Sequence, residues 1–74
     1  MDDEIGVDKR QRDARVNLTC IGKGIEYTLP FERALKVVIE EWDITRQSHS
    51  RINHPGAEFG DLYIDQIRRL HARL

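Results

Sequence analysis

Apolar and polar residues begin to alternate at Arg15. Val16, Leu18 and Cys20 fall on one face and Asn17 and Thr19 on the other, the period-2 pattern of a half-buried strand. Past Gly22-Lys23-Gly24 the alternation resumes, with Ile25, Tyr27 and Leu29 against Glu26 and Thr28. Both segments are rich in the β-branched, aromatic and threonine residues that suit a pleated surface. The turn sets the register. A two-residue Gly22-Lys23 loop of type II′ places Cys20 opposite Ile25, Leu18 opposite Tyr27 and Val16 opposite Leu29, so apolar residues meet on one face. Asn17 then meets Thr28 and Thr19 meets Glu26. A three-residue loop would mix the faces.

From Pro30 the period changes. Phe31, Leu35, Val38, Trp42 and Thr45 recur at spacings of four and three, flanked by Ala34 and Ile39, and predict one amphipathic helix that frays around Gln47 to His49. Proline suits the first helical position, Glu32 suits the positive dipole end, and Glu32 to Lys36 is a favourable i,i+4 pair. A second helix is expected from Pro55 or Ala57 to the C-terminus, on the stripe Phe59, Tyr63, Ile67, Leu70 and Leu74 with Leu62 beside it. Gly60 weakens its first turn by about 1 kcal/mol relative to alanine, and a start at Asp61 is the alternative.

The expected fold is therefore α+β: an N-terminal two-stranded antiparallel β-hairpin followed by two amphipathic α-helices (ββαα). Residues 14–74 make the single domain. Residues 1–13, with no periodicity of either kind, read as a disordered or mobile charged tail.

Size changes the picture most. A chain of 74 residues buries only about 60% of the surface it exposes when unfolded. Small scaffolds compensate with a disulfide, a metal or a partner. Cys20 is the only cysteine, so no intrachain disulfide forms. A lone cysteine, with no apolar stretch behind Met1-Asp2-Asp3-Glu4, leads us to expect a reduced, cytoplasmic setting. The longest apolar run, Val37-Val38-Ile39, is far short of the roughly 20 residues of a membrane span, so no membrane partner is expected. The formal charge of −1 gives no global attraction to nucleic acid.

Candidate chemistry is thin. His49, His54, His71 and Cys20 lack metal-ligand spacing, so neither a metal nor a cofactor is expected. Cys20 lies on the inward face, where a small hydrophobe packs, and not as an accessible thiolate beside a base. Glu40, Glu41 and Asp43 project around the solvent side of the first helix and do not converge. A cavity of about 300 Å³ or more is not expected in so small a domain. Gly22-Lys23-Gly24 precedes a strand and lacks the other positions of a phosphate loop. No catalytic residue is assigned, and the chain reads as a non-enzymatic protein-interaction module.

Self-association is the expected route to stability. Val37 and Ile44 lie seven apart, away from the Leu35 and Trp42 stripe, and with Ile64 they form the candidate dimer seam. The hairpin offers two unpaired edges, and a two-fold homodimer pairing them would complete a four-stranded sheet. The alternative is a small nucleic-acid-associated regulator using the basic arm Lys9, Arg10, Arg12 and Arg15 with Lys23 at the turn. Arg68, Arg69, His71 and Arg73 need no such role, because dipole complementarity at a helix C-terminus accounts for them.

Overall fold

The computed structural model describes residues 13–55 and 60–74. The expected tail lies almost wholly outside the described residues, as does Phe59. Among the described residues, four strands and three helical segments follow one another as β1 (Arg15–Cys20), β2 (Ile25–Pro30), α1 (Phe31–Lys36, continuing as a π-helical stretch Val37–Glu41), α2 (Ile44–Ser48), β3 (Ser50–Asn53), β4 (Asp61–Tyr63) and α3 (Ile64–His71). The strands form one antiparallel sheet in the order β2-β1-β3-β4. The ββαα order is thus corrected to ββααββα. The four-stranded sheet is completed by one chain, not by two hairpins from two copies.

The hairpin register is the one the alternation requires. Val16 pairs with Leu29, Asn17 with Thr28, Leu18 with Tyr27, Thr19 with Glu26 and Cys20 with Ile25. The turn differs. The Lys23 N–H donates to the Cys20 carbonyl at 3.1 Å, and Gly22 has φ +83. Glycine therefore serves the third position of a β-turn, where type II needs positive φ, and Ile21–Gly24 all stand outside the ladder. The Ile21 N–H is instead drawn to the His49 carbonyl at 2.8 Å, extending the contact between β1 and β3.

The predicted first helix stops early. The Trp42 N–H reaches five residues back to the Val37 carbonyl at 3.0 Å, and Trp42 then turns extended at φ −85, ψ 144. Asp43 caps the next segment, its Oδ1 accepting from the Arg46 N–H at 2.9 Å. The Gln47 amide folds back and donates to the Trp42 carbonyl at 3.0 Å, which the break leaves without a helical partner. Trp42 is buried, whereas Thr45, read as the next core position, is exposed.

The predicted second helix begins later. Gly60 has φ +73, outside any right-handed helix, and Asp61–Tyr63 pairs with β3 as a strand. Leu62 is buried from that strand, Ile67 and Leu70 from α3. Tyr63 and Leu74, placed on the helical stripe by spacing, are exposed.

One core lies between the sheet and the helices. Val16, Leu18, Cys20, Ile52 and Leu62 face Phe31, Ala34, Leu35, Val38, Trp42, Ile67 and Leu70. Ser50, buried beside Cys20, satisfies its hydroxyl on the Gln47 carbonyl at 2.7 Å. No helix among the described residues is long and apolar enough to cross a membrane.

Candidate functional site: the open edge of strand β2

Which backbone groups each strand spends on its neighbours follows from the register. The Phe31 N–H donates to the Ala14 carbonyl at 2.8 Å, at the same offset as the β1–β2 pairs. In an antiparallel ladder hydrogen-bonded and non-hydrogen-bonded pairs alternate, so Leu29, Tyr27 and Ile25 direct their N–H and C=O toward β1. Thr28 and Glu26 direct theirs outward. Pro30, last in the strand, sits where its missing N–H costs no ladder bond. On β1, the bond from Ile21 to His49 gives Asn17 and Thr19 to β3, so both sides of β1 are occupied. The second hairpin edge expected from the sequence is therefore covered.

The sheet's other margin is blunted. Strand β4 is three residues long, and the outward N–H of Tyr63 donates to Gln66 Oε1 at 3.0 Å. Strand β2 has no such guard among the described residues. Glu26 and Thr28 present two N–H and two C=O groups in a row, the geometry that templates another strand.

Beside this edge lies an open groove of about 420 Å³ lined by Tyr27, Leu29, Arg33, Val37, Glu41, Trp42 and Arg46. It is larger than the size of the domain led us to expect, and the side chains of α1 and its π-helical continuation form one wall of it against Tyr27 and Leu29 of β2. Tyr27, on the apolar face of the sheet, keeps 49% of its surface exposed. The π-helical stretch supplies Val37 and Glu41, and the helix break places Arg46 at the far wall. A salt bridge from Arg33 to Glu41, 3.1 Å, spans the rim.

The three residues of the candidate dimer seam lie on three different elements. Val37 is half-buried at the groove, Ile64 is half-buried against the core at the start of α3, and Ile44 stands 67% exposed on α2. The break at Trp42–Asp43 puts Val37 and Ile44 on different helices, so their seven-residue spacing no longer defines a line. Of the basic residues, Lys9, Arg10 and Arg12 lie outside the described residues. Arg15 and Lys23 are both exposed, but they occupy opposite ends of a hairpin whose strands span about 17 Å. The sequence did not point to Arg51, half-buried on the polar sheet face opposite Thr19 and Tyr63.

The other candidate groups have structural partners. Cys20 is fully buried. His49 Nδ1 lies 2.9 Å from the Thr45 carbonyl. His71 Nε2 lies 2.8 Å from Glu40 Oε2, tying α3 to the π-helical stretch. The His54 ring meets Phe31 edge-to-face with centroids 5.2 Å apart. Among the described residues no three His, Cys, Asp or Glu side chains are grouped to hold a metal ion.

Comparison with protein-family models, with curated proteins and with solved structures finds no match to this chain. The functional reading therefore rests on the edge and its groove.

Proposed function

We propose that this protein is a small, non-enzymatic protein-interaction module that self-associates by accepting a strand at the outer edge of β2. One observation carries the reading: the backbone groups of Glu26 and Thr28 face outward beside an open groove of mixed apolar and charged side chains, while the opposite margin of the sheet is short and capped by Gln66. β-Augmentation uses this combination, main-chain hydrogen bonds for affinity and a neighbouring pocket for alternate side chains. A non-enzymatic role is supported by the burial of the one thiol and by the engagement of Glu40, Glu41 and Asp43 in a histidine contact, a salt bridge and a helix cap.

The test is mass against concentration by light scattering, for the native chain and for Thr28→Pro. The outward N–H of residue 28 makes no ladder bond to β1, so proline removes an edge donor and leaves the β1–β2 pairs intact. The native chain is expected to double its mass as concentration rises. Thr28→Pro is expected to stay monomeric with an unchanged far-ultraviolet circular dichroism spectrum. A native chain monomeric at high micromolar concentration, or a variant that associates equally well, contradicts the proposal.

A nucleic-acid role is the second reading. It is favoured by Arg15, Arg51 and Tyr63 sharing the sheet face that the described helices leave uncovered. Stacking on an aromatic beside arginines is how open sheets hold single strands. It predicts salt-dependent retention of a short single-stranded oligonucleotide, lost in Tyr63→Ala. No retention at low salt ends it.

A further inference from the structure

We infer that the strand received by β2 is β2 of a second copy, antiparallel, with Tyr27 on the two-fold axis. This rests on the reading of β2 as a pairing edge and adds its occupant and register. Gly24 turns away at φ +71 and Pro30 has no N–H, so the usable edge is Glu26 and Thr28. Three symmetric antiparallel registers keep these outward groups facing the partner. With Glu26 on the axis, two carboxylates lie directly opposite, a like-charge pair that destabilises a sheet. With Thr28 on the axis, Glu26 faces Pro30, which cannot donate to its carbonyl. With Tyr27 on the axis, Glu26 faces Thr28 on both sides of the join. Both N–H and both C=O groups of each copy then find partners, and no like charges oppose.

The apolar face agrees with that choice. Tyr27 lies directly opposite its symmetry mate at a non-hydrogen-bonded position, where side chains approach most closely, and Ile25 lies opposite Leu29. Both grooves open on the same side of the joined sheet, so the half-exposed Tyr27 gains cover from its mate. A closed two-fold pair also consumes the edge and ends growth at two.

The register is read by charge at position 28, an exposed side chain whose one described bond is a donation to Asn17 Oδ1 at 3.2 Å. Sedimentation equilibrium of the full chain at low salt is compared for the native protein, Thr28→Lys and Thr28→Glu, with circular dichroism confirming the fold of each. In the Tyr27-centred dimer lysine faces Glu26 twice, and dissociation becomes roughly two- to thirty-fold weaker, whereas glutamate strengthens dissociation by a similar factor. Weaker dimers from both variants indicate the Thr28-centred register, and dimers insensitive to either indicate the Glu26-centred one. Each of these overturns the inference while leaving self-association standing. Three monomeric proteins at about 1 mM overturn both.

Discussion

Replacing Gln47 probes the break that shapes the groove. Its side-chain amide holds the end of the π-helical stretch by donating to the Trp42 carbonyl at 3.0 Å and, at the longer distance of 3.5 Å, to the Ile39 carbonyl. In Gln47→Ala the shorter bond contributes about 1 kcal/mol, and a partly buried carbonyl left without a donor raises the loss toward about 2 kcal/mol. For a domain of this size each kcal/mol lowers the melting temperature by about 4–8 °C. Gln47→Met keeps most of the side-chain volume without the donor, so it separates hydrogen bonding from packing. Urea unfolding followed by circular dichroism and by Trp42 fluorescence is expected to show both variants destabilised, with Met recovering little of the loss. If Gln47→Met unfolds within about 0.3 kcal/mol of the native chain, the amide does not hold the break and this reasoning is wrong; that margin is smaller than the net value of one hydrogen bond.

Two further outcomes follow from the backbone and the core. A Cβ at Gly22 meets nothing within 4 Å, but φ is +83, so Gly22→Ala costs about 1 kcal/mol through conformation alone and Gly22→Asn costs less. A neutral alanine in urea titration means the turn is not left-handed there. Cys20 is fully buried, so a disulfide reagent labels it only through opening of the fold. Labelling is expected to be about a hundred-fold or more slower in buffer than in urea, given the ~3–5 kcal/mol a small core supplies; rates within a factor of about ten indicate an accessible thiol.

The parts of the fold legible in the sequence are those whose pattern is long. Six-residue strands with three inward apolar positions each left one register for β1 and β2 that keeps the faces separate. Strands β3 and β4 contain one aliphatic core residue apiece, Ile52 and Leu62, too few to establish a period. Leu62, Ile67 and Leu70 also fall near helical spacing, which disguised a strand followed by a helix. The helix break was hidden for a similar reason. Trp42 fits the stripe running from Phe31, and it is buried, but the chain leaves the helix at that residue. The signal that could have marked it is Asp43, a good N-cap residue just before Ile44, whose capping of Arg46 competes with continuing the helix. The groove could not be read from spacing at all. It depends on the helix break at Trp42 and on β2 being an outer strand of the sheet, neither of which the spacing of apolar residues records.

Whether β2 is an open edge that a second copy covers is read from amide hydrogen exchange at Glu26 and Thr28, followed by NMR at low and high protein concentration. Their N–H groups face away from β1, whereas those of Tyr27 and Leu29 are bonded to it. An open, self-pairing edge requires fast exchange at Glu26 and Thr28 in dilute protein, slow exchange at Tyr27 and Leu29 throughout, and protection spreading to Glu26 and Thr28 as the protein associates. Protection of Glu26 and Thr28 already complete in the dilute monomer, meaning that the chain covers its own edge, would contradict it.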